Sequence, residues 1–150
     1  MAVLACLAVA IPAQTPAGGS DDYRPIHQEI DYKARPQRIY KALLDSKQFG
    51  AITGLPTVIH AVTGGTFSCF GGEIVGRNIE LIPNRRIIQA WQAKGWGEGV
   101  YSVVRFELKA QGTGTRLILD HTGFPGGERE HLDPGWPLMY WDPLRKFLGE

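Results

Sequence analysis

The chain has 150 residues, enough for one domain with a proper core and too few for two of ordinary size. Its 43% hydrophobic and 21% charged content is that of a soluble globular protein, and 16 basic against 15 acidic residues leave a formal net charge of +1. That balance gives no electrostatic ground for a nucleic-acid partner, and two cysteines, Cys6 and Cys69, exclude a disulfide framework.

Residues 1–20 carry no charged side chain; an apolar run over 2–11 is followed by a stretch rich in Pro, Ala and Gly. A run of that length fits the hydrophobic region of a signal peptide and is too short to span a bilayer. Ala8-Val9-Ala10 offers a small-x-small cleavage pattern, yet no Lys or Arg precedes the run, so an exported and a cytoplasmic location both stay open. The leader is expected to lie outside the domain, which is placed at 24–150. Deleting residues 1–20 should therefore leave the calorimetric melting temperature within about 2 °C of the parent, and a clear drop would place the run in the core.

From the start of the domain, Ile26, Ile30 and Tyr32 share an alternation that predicts a first strand. Arg35-Pro36 opens a helix with the stripe Ile39, Tyr40, Leu43 and Leu44, which fades near Asp45-Ser46. A second short helix is expected around 47–52, ended by Gly54 and Pro56. From Thr57 the period changes, and short strands punctuated by glycine pairs are expected at 57–61, 66–70, 73–82, 85–93, 100–110 and 115–122. Pro83-Asn84 reads as a two-residue turn. It pairs Ile82 with Arg85, Glu80 with Ile87, Asn78 with Gln89 and Gly76 with Trp91, the glycine leaving room for the indole. The chain closes with an amphipathic helix whose Trp136, Tyr140, Leu144 and Phe147 share one face. Asp133 is expected as its N-cap with Pro134 at the first helical position, and Pro143 should interrupt the ladder.

One strand, two short helices, six further strands and a long closing helix describe an α+β domain. Its curved antiparallel sheet of about seven strands should wrap the C-terminal helix. The segments 39–45, Gly64-Gly65-Thr66-Phe67, Gly71-Gly72, 76–82, 86–92, 104–108, Gly114-Thr115-Arg116-Leu117, Gly135-Trp136 and 140–144 follow in that order. Together they resemble the START-like (SRPBCC) superfamily of helix-grip proteins. Within it they resemble the family named after the C-terminal domain of the activator of the heat-shock protein 90 ATPase. The resemblance covers about 24–149 and implies a cavity between sheet and helix; it implies no reaction. Gln92 departs from it where many relatives carry Arg, and Pro137 adds a second proline to the start of the long helix.

No pair among His27, His60, His121 and His131 has metal-ligand spacing, so neither a metal nor a cofactor is expected. No nucleophile elbow or triad order is present, the glycine pairs read as strand corners, and Cys69 reads as a small buried hydrophobe. His27, His60 and His131 read as solvated, whereas His121 shares the parity of Leu117 and Leu119 and turns inward. Asn78 and Glu80 read as neighbours on one strand face, either solvated or set as polar groups in an apolar cavity. Trp91, Gln89, Phe106, His121, Trp136 and Tyr140 are the candidate ligand contacts. The function expected is binding of a hydrophobic or amphipathic small molecule between sheet and helix. Its rivals are a cyclase- or dehydratase-type enzyme using Glu80 or His121 as an acid, and a chaperone-interaction module. The size of the chain, with no room for a second binding domain, weighs against the last.

Overall fold

The structure, a computed structural model, describes residues 23–150. The leader and Cys6 lie outside the described residues. Strand β1 (Ile26–Tyr32) leads into helices α1 (Pro36–Leu44) and α2 (Ser46–Thr53), which carry the chain to the far edge of the sheet. There β2 (Val58–Ile59), β3 (Thr66–Cys69), β4 (Ile74–Ile82), β5 (Arg86–Ala93), β6 (Ser102–Gln111) and β7 (Gly114–Thr122) return as an antiparallel meander. The order across the sheet is β1-β7-β6-β5-β4-β3-β2, with every pairing antiparallel. Helix α3 (Arg129–Trp136), a π-helical turn (Pro137–Trp141) and α4 (Asp142–Leu148) then lie in the hollow of the sheet.

Local signals explain the helices. Arg35 is extended and Pro36 sits at the first position of α1, where its missing N–H costs nothing. The Asp45 carboxylate accepts from the Gln48 N–H at 2.9 Å and caps α2, and Gly54 closes α2 at φ +71°, a conformation open to glycine.

The β4–β5 hairpin differs from expectation. Ile82 pairs with Arg86 and Glu80 with Ile88, so the turn holds one residue more than two, and Asn84 takes a left-handed φ of 63°. A bulge at Ile79 then absorbs the extra residue, which restores Asn78 opposite Gln89 and Gly76 opposite Trp91. The bulge also flips the parity of β4. Asn78 is buried, whereas Glu80 is turned to the outer face and bonded to Arg86 at 3.1 Å, so the two do not share a face. The space beside Gly76 is filled by the Phe67 ring; a Cβ there would meet that ring and the Ala90 carbonyl.

The closing helix also begins earlier than expected. Its first residue is Arg129, and Pro134 lies inside α3 with Asp133 before it as a helical residue. Tertiary contacts hold this extra turn: Leu132 is buried, and Arg129 donates to the Arg24 and Pro25 carbonyls at 2.8 Å each and to Asp133 at 3.2 Å. The ladder is interrupted ahead of Pro143, as expected, and the interruption takes the form of the π turn, in which the Asp142 N–H reaches the Pro137 carbonyl. Pro137 cannot bond the Asp133 carbonyl, which instead accepts from Gln28 Nε2 at 2.9 Å. Helix and β1 are further joined by Tyr32 Oη donating to the Trp141 carbonyl and by Glu150 accepting the Lys33 and Ala34 N–H groups at 2.8 Å.

Candidate functional site

The hollow of the sheet is packed solid. Phe49 from α2, Phe70 after β3, Phe106 from β6 and Tyr140 from the π turn meet with ring centroids 5.2 to 6.2 Å apart. They leave an internal void of about 10 Å³ beside Gln89 and Cys69, room for a single water. The cavity between sheet and helix is therefore not ligand-sized in this conformation, because four aromatic rings occupy it. Burial pushes the Cys69 thiol up to about 12, which keeps it protonated and inert as read from its neighbours. Tyr140 is likewise held neutral by burial, against the smaller opposing influence of the Trp91 N–H.

The ligand-sized space lies at one end of the grip. An open groove of about 750 Å³ runs between α3 with its π turn and the ends of β4 and β5. Trp91, Trp96, Leu132, Trp136, Leu138 and Met139 form much of its apolar lining. Leu138 is 67% exposed and Met139 45%, so this part of the lining is open to solvent and not core. All four tryptophans of the chain stand in one column behind it: Trp96 on Trp91 at 6.5 Å, Trp91 on Trp136 at 5.4 Å and Trp136 on Trp141 at 5.5 Å. Trp96 reaches the column because the loop after β5 turns back at Gly95, and Gln92 Nε2 bonds the Gly97 carbonyl at 3.1 Å. The Trp91 Nε1–H is buried; the Tyr140 hydroxyl lies near enough to feel it, but no well-formed hydrogen bond joins it to an acceptor among the described residues.

Of the six sequence-derived candidates, Trp91 and Trp136 line the groove, Gln89 and Phe106 line the internal void, and Tyr140 borders both. His121 lines neither. It is fully buried behind the indoles, with Trp136 Nε1 donating to its Nδ1 at 3.3 Å and Ser102 Oγ 2.8 Å from its Nε2. Since Nδ1 accepts, Nε2 carries the proton and donates to Ser102, whose hydroxyl passes on to the Trp91 carbonyl at 3.2 Å. Burial lowers the His121 pKa to about 4, so the ring is neutral and both nitrogens are satisfied. Gln89 and Asn78 form a second network: Gln89 donates to Asn78 at 3.0 Å, and Asn78 donates to the His60 carbonyl at 3.0 Å, pinning the 60–65 loop.

On the outer face Arg86 joins Glu80 and Glu107, and this guanidinium, helped by Arg105, holds Glu107 below the usual carboxylate range. That places Glu80 in a solvated ion-pair network, away from the groove. His60 and His131 are exposed, and His27 is exposed and bonded to Asp120 at 2.6 Å. Among the described residues no cluster of His, Cys, Asp or Glu is placed to hold a metal ion, and no helix is long and apolar enough to cross a membrane. Sequence reasoning missed Trp96, Leu138 and Met139. Trp96 had a signal in its Gly95 and Gly97 neighbours, which let a large ring fold back, whereas Leu138 and Met139 lie off the buried stripe and gave none.

A seven-stranded antiparallel sheet gripping a closing helix, with two short helices after its first strand, defines a START-like helix-grip protein. Residues 33–149 match the family model described as activator of Hsp90 ATPase homolog 1-like protein. The chain belongs to that family. It is 24% identical over 143 residues to the human activator of 90 kDa heat shock protein ATPase homolog 1, covering 89% of this chain and 42% of the human protein. It is 32% identical over 93 residues to mouse homolog 2, covering 62% of this chain and 28% of that one. The chain thus spans less than half the length of these curated relatives. Among solved structures, an HSP90 activator from Plasmodium falciparum is similar with a TM-score of 0.79 and 25% identity, over 83% of this chain and 96% of that one. CalU16 from Micromonospora echinospora shares the fold with a TM-score of 0.72 and 24% identity, over 83% and 76%.

Proposed function

We propose that this domain binds a hydrophobic or amphipathic small molecule in the groove between α3 and the β4–β5 end of the sheet. The observation that carries this reading is the groove itself: about 750 Å³ of open, tryptophan-lined space beside a filled core. That volume falls within the several-hundred-Å³ range of ordinary ligand sites.

The test is saturable quenching of tryptophan emission by an apolar fluorescent probe, since the groove wall and the indole column are one structure. Trp96→Ala is expected to weaken probe binding about tenfold, as for loss of one aromatic contact surface. His60→Ala, on the exposed loop, should leave binding unchanged. Equal affinities in the two variants would sink the groove as the site.

A second reading is favoured by the relatives. Curated proteins that match this chain are named as activators of a 90 kDa heat shock protein ATPase. On that reading the exposed Leu138 and Met139 would meet a chaperone surface. Stimulation of the ATPase by the purified domain, abolished by Leu138→Glu, would support it over the small-molecule reading.

A further inference from the structure

We infer that the groove selects a flat aromatic ligand that carries a positive charge, an inference that rests on the small-molecule reading above and names its ligand class. The charged groups lining the groove are Glu73, Glu128 and Glu130 against Lys94, with His131 at the same end. Lys94 is spent on Glu73 at 3.2 Å. Glu128 and Glu130 make no side-chain hydrogen bond or ion pair among the described residues, and residues 1–22 contain no Lys or Arg. Two carboxylates therefore stand uncompensated at one end of an apolar trough.

These carboxylates also sit at the start of α3, where negative charge favours a helix. The helix end supplies roughly half a positive charge, which offsets only a fraction of two full negative ones. The field at that end of the groove stays negative.

The floor favours a flat ring. Trp91 and Trp136 are buried and stacked on each other at 23°, so the ring a ligand meets is the half-buried Trp96, edge-on to Trp91 at 67°. The exposed Leu138 and Met139 lie in the same groove, a surface on which a planar ligand orders few torsions. Indole is the best natural partner for a cation, and the Met139 thioether offers a further soft contact to an aromatic ring. A cationic head toward Glu128 and Glu130 with its ring on Trp96 and Met139 satisfies both halves of the groove at once. An anionic amphiphile such as a fatty acid meets the same apolar floor and a repulsive end.

Three probes of matched shape separate the ideas: naphthylmethylammonium, naphthylmethanol and naphthoate, titrated into the full chain by calorimetry at low salt. The cation is expected to bind about fivefold or more tighter than the anion, as for a partly exposed cation–π and charge contact. That margin should shrink as salt rises and collapse in the Glu128→Gln, Glu130→Gln double variant. If all three probes bind equally, the groove reading stands and the charge selection is overturned. If the preference survives in the double variant, the two glutamates do not carry it and the inference fails. If none binds, the groove reading itself falls. A merely helix-stabilising role for the glutamates would lower the melting temperature of the double variant while leaving its order of probe affinities unchanged.

Discussion

Replacing Trp136 by alanine is expected to destabilise the domain by about 4 kcal/mol, among the largest effects available to a single substitution in this chain. Trp136 is 3% exposed and touches Trp91, Phe106, His121, Tyr140 and Trp141 through its ring. Its removal opens a cavity at the junction of helix and sheet and leaves His121 Nδ1 without its donor. For a domain of this size the melting temperature should fall by roughly 10–20 °C, read by calorimetry or by the loss of near-ultraviolet circular dichroism. Trp136→Phe keeps most of the packing and loses the N–H, so its cost should be nearer about 1–2 kcal/mol. A loss below about 1 kcal/mol for the alanine variant would mean that the indole is not held in the column as described.

The two substitutions separate core from site. Trp96 stands at the open end of the same column, half-buried, and its truncation should affect probe binding far more than stability. A ligand that stacks there would perturb Trp91 and Trp136 behind it, which is why intrinsic fluorescence is a direct reporter of the groove.

Much of this architecture was legible because its signals are local. Glycine pairs marked the corners of the meander, Arg35-Pro36 and Gly54 marked helix ends, and the stripe of Trp136, Tyr140 and Leu144 marked the buried face of the closing helix. Where two local irregularities compensate, alternation carries only part of the register. The longer turn at Pro83-Asn84-Arg85 and the bulge at Ile79 cancel, so alternation gives the pairing of Asn78 with Gln89 but not that of Glu80 with Ile88, nor the separation of Glu80 from the face of Asn78. The bulge leaves no trace in alternation because Ile79, Leu81 and Ile82 put apolar residues on both parities of the strand. The start of α3 is hidden for a different reason: Asp-Pro is a strong cap signal, and it is overridden by Arg129 and Leu132, whose partners lie about a hundred residues away or across the core.

The candidate site was less legible. Stripe residues announce that they are buried, and Gln89, Phe106 and Tyr140 duly pack around a void of one water. Whether such residues enclose a cavity or fill it depends on summed volumes that spacing does not carry. The groove wall is made of side chains off the stripe, which a sequence presents as ordinary surface.

Acidification from pH 6.5 to pH 4 is expected to cost the domain about 3 kcal/mol through His121 alone, the difference between its ordinary pKa of 6.5 and a buried value of about 4. The sign follows from proton counting. The unfolded chain binds a proton at this histidine below 6.5 and the folded one does so only near 4, so stability is fully present above 6.5 and drains as the pH falls through that window. Asp31 and Glu107, whose pKa values are lowered by Arg116 and Arg86, add their losses further down, as carboxylates protonate. His27 works the other way, since Asp120 raises it, but it is exposed and its contribution is screened. Between pH 6.5 and 5 the slope therefore belongs mainly to His121. Denaturant unfolding across that range should show the loss in the parent and a flatter profile in His121→Gln, which retains an acceptor for Trp136 and a donor for Ser102 but no titrating ring. Parallel slopes in the two proteins would mean that the folded state accepts a charge at this position. The Trp136–His121–Ser102 chain would then have to open on protonation, and the indole column would loosen with it.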